Sequence, residues 1–314
     1  MTEHYPRIRL RDQADFELMR EGLSISFYMR YSHRELVENI LQSLEAYVRA
    51  VGPQALGWYL DGEGEPQPLD ERGWDLTRKE LRERQFPIIR LRDGSDNDNR
   101  YRFNYWGKDL QAPHVAKNPG AVCTATFWLP TEFLEEHGPE RVRELAMEWA
   151  APLPLCSGHG GLSFNAEYSL VGIRQQVARY WLRYPGIDVY DSPSDHSWDI
   201  GTRVRGPSWL TFLGQPALGE LGGAEGLRAR LHSLGTTVQE LARDKVLITL
   251  GAWPEAGDIE RGDTLPAYRE LARVLEPWLF RDPDGRMLGQ SEEDTRRWER
   301  RFLDQARQRT PSLS

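Results

Sequence analysis

The sequence predicts an α+β fold of mixed or antiparallel sheets with packed helices, on three observations. Apolar residues alternate with small or polar ones in LSISFYMR, Leu23 to Arg30, the period of a half-buried strand. Behind Ser32, apolar residues recur at helical spacing and define one buried face. Strands and helices then intermix without the regular alternation that a parallel β-α-β sheet requires.

The first helix opens at Ser32 with Glu35 three residues on, the residue types of a capping box. Leu36, Ile40, Leu41, Leu44, Val48 and Val51 form its stripe, and Gly52-Pro53 ends it. Tyr101 to Trp106 and Ala121 to Leu129 are rich in aromatic and β-branched residues between turn formers, and they join the first strand in one sheet. Pro139 starts a helix whose Val142, Leu145, Ala146 and Trp149 share a face, closed by Pro152 and Pro154. A further helix is expected from Ser169 to Tyr184, stopped by Pro185-Gly186.

The loop-rich stretch Pro185 to Pro207 suggests a division into two α+β lobes, residues 1–190 and 191–314. In the second part, Ser208 to Leu213 and Lys245 to Leu250 read as buried strands around a helix from Glu225 to Leu234. Pro266 begins a helix with Tyr268, Leu271, Ala272 and Leu275 on one face. The last helix, Ser291 to Arg309, carries both signs of charge and is docked by Trp298 and Phe302.

At 314 residues and 39% hydrophobic, the chain buries a sizeable core. A mean hydropathy of −0.63 and the lack of an apolar run near the roughly 20 residues of a bilayer span exclude a membrane-spanning helix. The net charge of −8 sets up a field that repels phosphate backbones and attracts basic partners, which argues against direct nucleic-acid binding. With two cysteines and no apolar stretch behind the N-terminus, the expectation is a cytoplasmic protein in which Cys123 and Cys156 stay unpaired.

Several chemistries lack their residues. No lysine precedes Ser or Thr as a phosphate-cradling loop demands, and neither the paired-histidine zinc motif nor the Gly-x-Ser-x-Gly elbow occurs. None of Lys79, Lys108, Lys117 and Lys245 follows an acid by two positions, the carboxylate-lysine strand spacing of many metal-dependent nucleases. Cys156, Ser157 and His159 in CSGHGGLSFN are the best nucleophile-and-base set, although Gly158, Gly160 and Gly161 more simply mark a turn or bulge entering a strand. Asp188, Asp191, Asp195, His196 and Asp199 have the ligand types for a cation, but turn-forming loop carboxylates explain them more simply. A small-molecule enzyme built on Cys156, His159 and the 188–199 region is thus the alternative reading.

The segments LITLGAWPEAGDIERGDTLPAYR (Leu247 to Arg269), PGIDVYD (Pro185 to Asp191) and SWLTFLG (Ser208 to Gly214) resemble the type VI secretion system immunity family, TsiV-like. GWYLDGEG (Gly57 to Gly64) and CSGHGGLSFNAEY (Cys156 to Tyr168) extend the resemblance over most of the chain. It implies a protein that binds and neutralises a cognate VRR-NUC nuclease effector, with no activity, catalytic residue, cofactor or metal of its own. An acidic protein suits that role, because a nuclease presents a basic cleft to phosphates. The candidate contacts are Asp61, Glu63 and Glu65 in one loop, Asp93, Asp96 and Asp98 in a second, and Asp258, Glu260 and Asp263 in a third. For the third loop, between Gly257 and Gly262, backbone capping by Asp258 or Asp263 is the competing explanation.

Overall fold

The structure is a computed structural model that describes residues 4–93, 99–189, 193–242, 244–283, 285 and 287–304. Its elements run β1 (Arg9–Arg11), β2 (Glu17–Met29), α1 (His33–Val51), β3 (Trp58–Leu60), β4 (Pro66–Pro68), α2 (Glu71–Glu83), β5 (Ile88–Arg92), β6 (Arg102–Trp106) and β7 (Cys123–Pro130). They continue with α3 (Thr131–Ala150), β8 (Ser157–Ala166), α4 (Ile173–Ala178), α5 (Pro193–Asp199), β9 (Leu210–Leu213), α6 (Ala217–Glu220), α7 (Gly223–Arg228), β10 (Thr236–Ala242), β11 (Lys245–Leu250), α8 (Pro266–Leu275) and α9 (Glu292–Glu299). The eleven strands of the described residues join one sheet in the order β10-β11-β9-β8-β2-β7-β6-β5-β3-β4, with β1 on β2. Every strand pair is antiparallel, as the α+β reading expects.

The two strands expected in a second part of the molecule belong to this same sheet. His159 of β8 pairs with Thr211 of β9, and β9 pairs in turn with β11.

One face of the sheet carries the large apolar core. Leu23, Ile25, Phe27 and Met29 of β2 and Ala125, Phe127 and Leu129 of β7 point there by strand alternation. Above them lie α1, through Leu36, Ile40, Leu41 and Leu44, and the second half of α3, through Leu145 and Trp149. The Phe127 and Trp149 rings stack with centroids 4.9 Å apart, and Tyr47 meets both edge-on. Each such aromatic contributes about 1.5–3 kcal/mol through burial alone.

Helix α1 begins where its residue types require. The Ser32 backbone N–H donates to Glu35 Oε2 at 2.9 Å in the expected capping box, and the Ser32 hydroxyl also accepts from the Leu110 N–H at 3.0 Å, which pins the 108–110 loop. Helix α3 starts eight residues earlier than Pro139 predicts, because Gly138 at φ 80° lets two helical segments join across a kink. The expected helix from Ser169 contracts to α4, and that from Glu225 to α7, since glycines at 172 and 222 in the left-handed region set where each one begins. Helix α9 follows a Ser291 cap that accepts from the Asp294 N–H, and Trp298 and Phe302 are buried as docking residues. Residues 305–309 of the expected helix lie outside the described residues.

Both ends of the sheet are closed to further strands. β4 reads Pro-Gln-Pro, and proline cannot donate to a ladder. On β10, Arg228 from α7 donates Nη2 to the Val238 carbonyl at 3.0 Å and also holds Glu240 at 3.1 Å.

Candidate functional site

The opposite face of the sheet is polar yet covered. A single row crosses five strands, Asn104, Thr126, Ser26, His159 and Thr211, each residue directly opposite the next, and all five are buried. Ser26 and Thr126 hydroxyls hydrogen-bond at 3.0 Å, and Thr211 closes a local turn with the Ser208 backbone. Asp188 reaches His159 from the 185–189 segment, which is stitched to β8 where β9 ends, through Phe164 N–H to Asp188 carbonyl and Asp188 N–H to Leu162 carbonyl. Arg205 approaches the same carboxylate at 3.7 Å and lies over the Trp298 ring, whose plane also carries Arg301 at 3.5 Å. Burial works against the Asp188 charge, but the Arg205 charge and the His159 hydrogen bond hold its carboxyl far below the usual range.

The residues of the enzyme reading are engaged otherwise. Cys156 is free and buried just before β8, and His159 of β8 is held by Asp188. Burial also pushes the Cys156 thiol up, away from thiolate at neutral pH. Gly158 and Gly160 lie inside β8, and the reason is packing: a Cβ at Gly158 would stand 2.7 Å from the Phe27 ring and 2.8 Å from the Ser26 carbonyl. Of the five proposed cation ligands, Asp188 is committed to His159 and Arg205, His196 packs against Phe280, and Asp199 is exposed on α5. Asp195 is carried on α5, and Asp191 lies outside the described residues. Among the described residues no three His, Cys, Asp or Glu converge on a metal position. Both cysteines are free and buried.

The three acidic loops occupy separate places. Asp61, Glu63 and Glu65 form the β3–β4 turn, and Asp61 organises it by accepting from the Glu65 N–H at 2.9 Å, the Glu63 N–H at 3.0 Å and the Gln67 amide at 3.1 Å. Those bonds, the Glu65 one foremost, hold the Asp61 carboxyl below its usual range. Glu63 and Glu65 stand exposed at the tip, with no ion-pair partner among the described residues. Asp93, at the end of β5, is buried and accepts the Arg100 N–H at 2.8 Å, and Asp96 and Asp98 lie outside the described residues. Because β3 and β5 are antiparallel, these two loops leave opposite ends of the pair.

In the third loop Asp258 is buried in a two-pronged bond with Arg183, at 3.0 and 2.7 Å, and also caps the Glu260 N–H. Asp263 accepts the Asp258 N–H at 2.8 Å, and Glu260 meets the remaining Arg183 nitrogen at 2.8 Å. The capping explanation thus describes Asp258 and Asp263.

A cleft of about 280 Å³ opens beside β2, bounded by the turn after β1, by Asn99 and by the connection from β8 to α4. Its apolar walls are Phe16, Leu18 and Leu170, and its carboxylates are Asp12, Glu17 and Glu167. Phe16 is 41% exposed and Leu170 43%, and the adjoining Val171 is fully exposed. Glu167 is held by Arg102 at 3.2 Å, and Glu17 by Arg11 at 2.8 Å and Arg20 at 3.0 Å. The sequence offered no period to mark this cleft, because its apolar residues sit in turns and at a strand end.

Among the described residues no helix is long and apolar enough to cross a membrane. No curated protein matches the chain. Among solved structures, the Pseudomonas aeruginosa T6SS protein PA0821 is similar in fold, with a TM-score of 0.73 and 22% identity over 96% of this chain and 88% of that one. The family model described as type VI immunity for VRR-NUC matches residues 39–302. The chain belongs to that family, and it is an immunity protein that neutralises a VRR-NUC nuclease effector rather than an enzyme.

Proposed function

We propose that the protein acts in the cytoplasm by binding its cognate nuclease across the DNA-binding or active-site surface, so that DNA is excluded without turnover. The observation that carries this reading is the 61–65 turn, where Asp61 fixes the backbone and leaves Glu63 and Glu65 exposed. A rigid acidic tip is what a phosphate-binding cleft attracts, since steering acts on the approach and shape on the final fit. The net charge of −8 supports the same polarity. Asp96, Asp98 and the exposed Glu260 of the third loop are further acidic contacts in this reading, whereas the buried Asp93 anchors the base of its loop.

Charge reversal tests it. Glu63→Lys with Glu65→Lys, and separately Glu260→Lys, are scored for folding by circular dichroism and for protection of cells expressing the nuclease. The expected result is slower association and weaker protection in folded variants. Unchanged association and protection in all of them would overturn acidic steering.

A further inference from the structure

Resting on that reading of a nuclease partner, we infer that Arg90 receives a carboxylate side chain of the nuclease, on an open stretch of sheet beside the acidic 61–65 turn. The polar row of the sheet continues from Asn104 of β6 to Arg90, directly opposite it on β5. There the cover ends. Asn104 is 5% exposed, whereas Arg90 is half-buried and Ile88, on the same side of β5, is 46% exposed. Arg92, also on this side, lies between Trp58 of β3 and Arg102 of β6, and Trp106 stands opposite Ile88. Both tryptophans are half-buried, and tryptophan and arginine are the residue types that concentrate in binding hot spots.

The charge on this stretch is unbalanced. Glu167 accepts from Arg102 at 3.2 Å and lies 3.9 Å from Arg92, while Asp93 is turned to the Arg100 and Tyr101 N–H groups. Arg90 has no hydrogen-bond or ion-pair partner among the described residues, and its Nε is buried without one. Burial, then the Arg102 charge and more weakly that of Arg90, pull the Arg92 pKa down against the opposite pull of Glu167 and Asp93. A part-buried guanidinium N–H without an acceptor costs stability in the free protein, and an arriving carboxylate supplies the acceptor in a two-pronged, charge-assisted bond.

Location commits the occupant. A Cβ on Gly64 would stand 3.7 Å from Arg90 Nη2, so the guanidinium lies against the very turn that carries Glu63 and Glu65. Whatever meets that turn meets Arg90 as well. DNA is a poor candidate, because the exposed glutamates and the net charge of −8 repel a phosphate backbone. A protein surface with a carboxylate among its basic residues fits both signs: the acidic tip takes a base and Arg90 takes the acid. Opposite signs side by side fix the register of docking, and they separate the cognate nuclease from proteins that are merely basic.

The test uses the full chain and its purified cognate nuclease, with folding followed by circular dichroism, binding by titration calorimetry and oligomeric state by light scattering. Arg90→Glu should weaken binding by at least about tenfold and Arg90→Gln by at least about threefold. Lysine in place of one acidic residue of the nuclease should restore binding to Arg90→Glu while weakening binding to wild type. Equal binding of wild type and both folded variants would overturn the assignment, as would the failure of every such lysine substitution to restore binding. So would a wild-type dimer that Arg90→Glu converts to a monomer, since the occupant would then be the acidic turn of a second copy, or duplex DNA that the chain alone binds and Arg90→Glu releases. If reversal of Glu63 and Glu65 leaves binding intact while Arg90→Glu weakens it, acidic steering falls and the Arg90 contact stands. If the wild-type chain itself fails to bind the nuclease, the functional reading falls first and the Arg90 assignment with it.

Discussion

His159 Nε2 lies 3.2 Å from Asp188 Oδ2, and both residues are buried on the polar face of the sheet. The pair fastens the 185–189 segment to β8 at the point where β9 stops pairing, and it adds a side-chain clamp to the backbone bonds between Asp188 and β8. Arg205 reaches the clamp, and it shares the Trp298 ring with Arg301, so the C-terminal helix is tied into the same unit.

Asp188→Asn should therefore destabilise strongly, by about 3–5 kcal/mol, the cost of leaving a buried partner uncompensated. The native carboxyl is depressed relative to the unfolded chain, so its stabilisation is present above the unfolded value near 4 and is lost as pH falls towards the folded one. Urea unfolding at several pH values should show a shallower acid-side loss in the variant than in wild type. Parallel curves would remove the clamp from the account.

Lys108 is a second buried charge with the opposite sign of effect. Its ammonium reaches the Val122 carbonyl at 3.1 Å and the Ser197 hydroxyl and lies over the Trp198 ring at 4.7 Å, and burial pulls its pKa down to about 8. The unfolded chain then holds more protons between about 8 and 10.5, so this residue makes stability rise with pH across that window. Lys108→Met should be at least as stable as wild type at pH 7 and should lose that component of the rise. A variant clearly less stable at pH 7 would show that the ammonium's bonds outweigh its desolvation.

Arg228 guards an edge strand. Arg228→Ala exposes the Val238 carbonyl at the rim of β10, and the expected consequence is concentration-dependent self-association with little change in the melting temperature. Size-exclusion chromatography with light scattering decides it, and a variant that stays monomeric wherever wild type does would show that the edge is protected in another way.

The legible parts of the fold are those with one apolar face. β11 spans the residues its pattern predicts, and α1 and α8 bury the expected stripes, with Leu41 and Leu44 inside. β2 was harder: Ser24 and Ser26 read as a solvent face, but the second face is roofed by later chain, and the polar row survives there through Ser26–Thr126 and His159–Asp188 bonds. β3 to β5 are too short for periodicity to show, and α2 is charged on most positions, with Gly73, Thr77 and Leu81 as its buried stripe. Acidity marked the partner-facing candidates without separating Glu63, exposed at a turn tip, from Asp258, locked to Arg183, because that difference depends on a cation 75 residues away.

Exclusion of DNA from the nuclease is the central claim, and labelled duplex binding tests it most directly. Fluorescence anisotropy of the duplex is followed, under conditions that suspend cleavage, as the immunity protein is added to a preformed nuclease–DNA complex. The account predicts release of the duplex with a one-to-one endpoint and an apparent affinity that falls as DNA concentration rises. A stable ternary complex, with cleavage blocked while DNA stays bound, would contradict it.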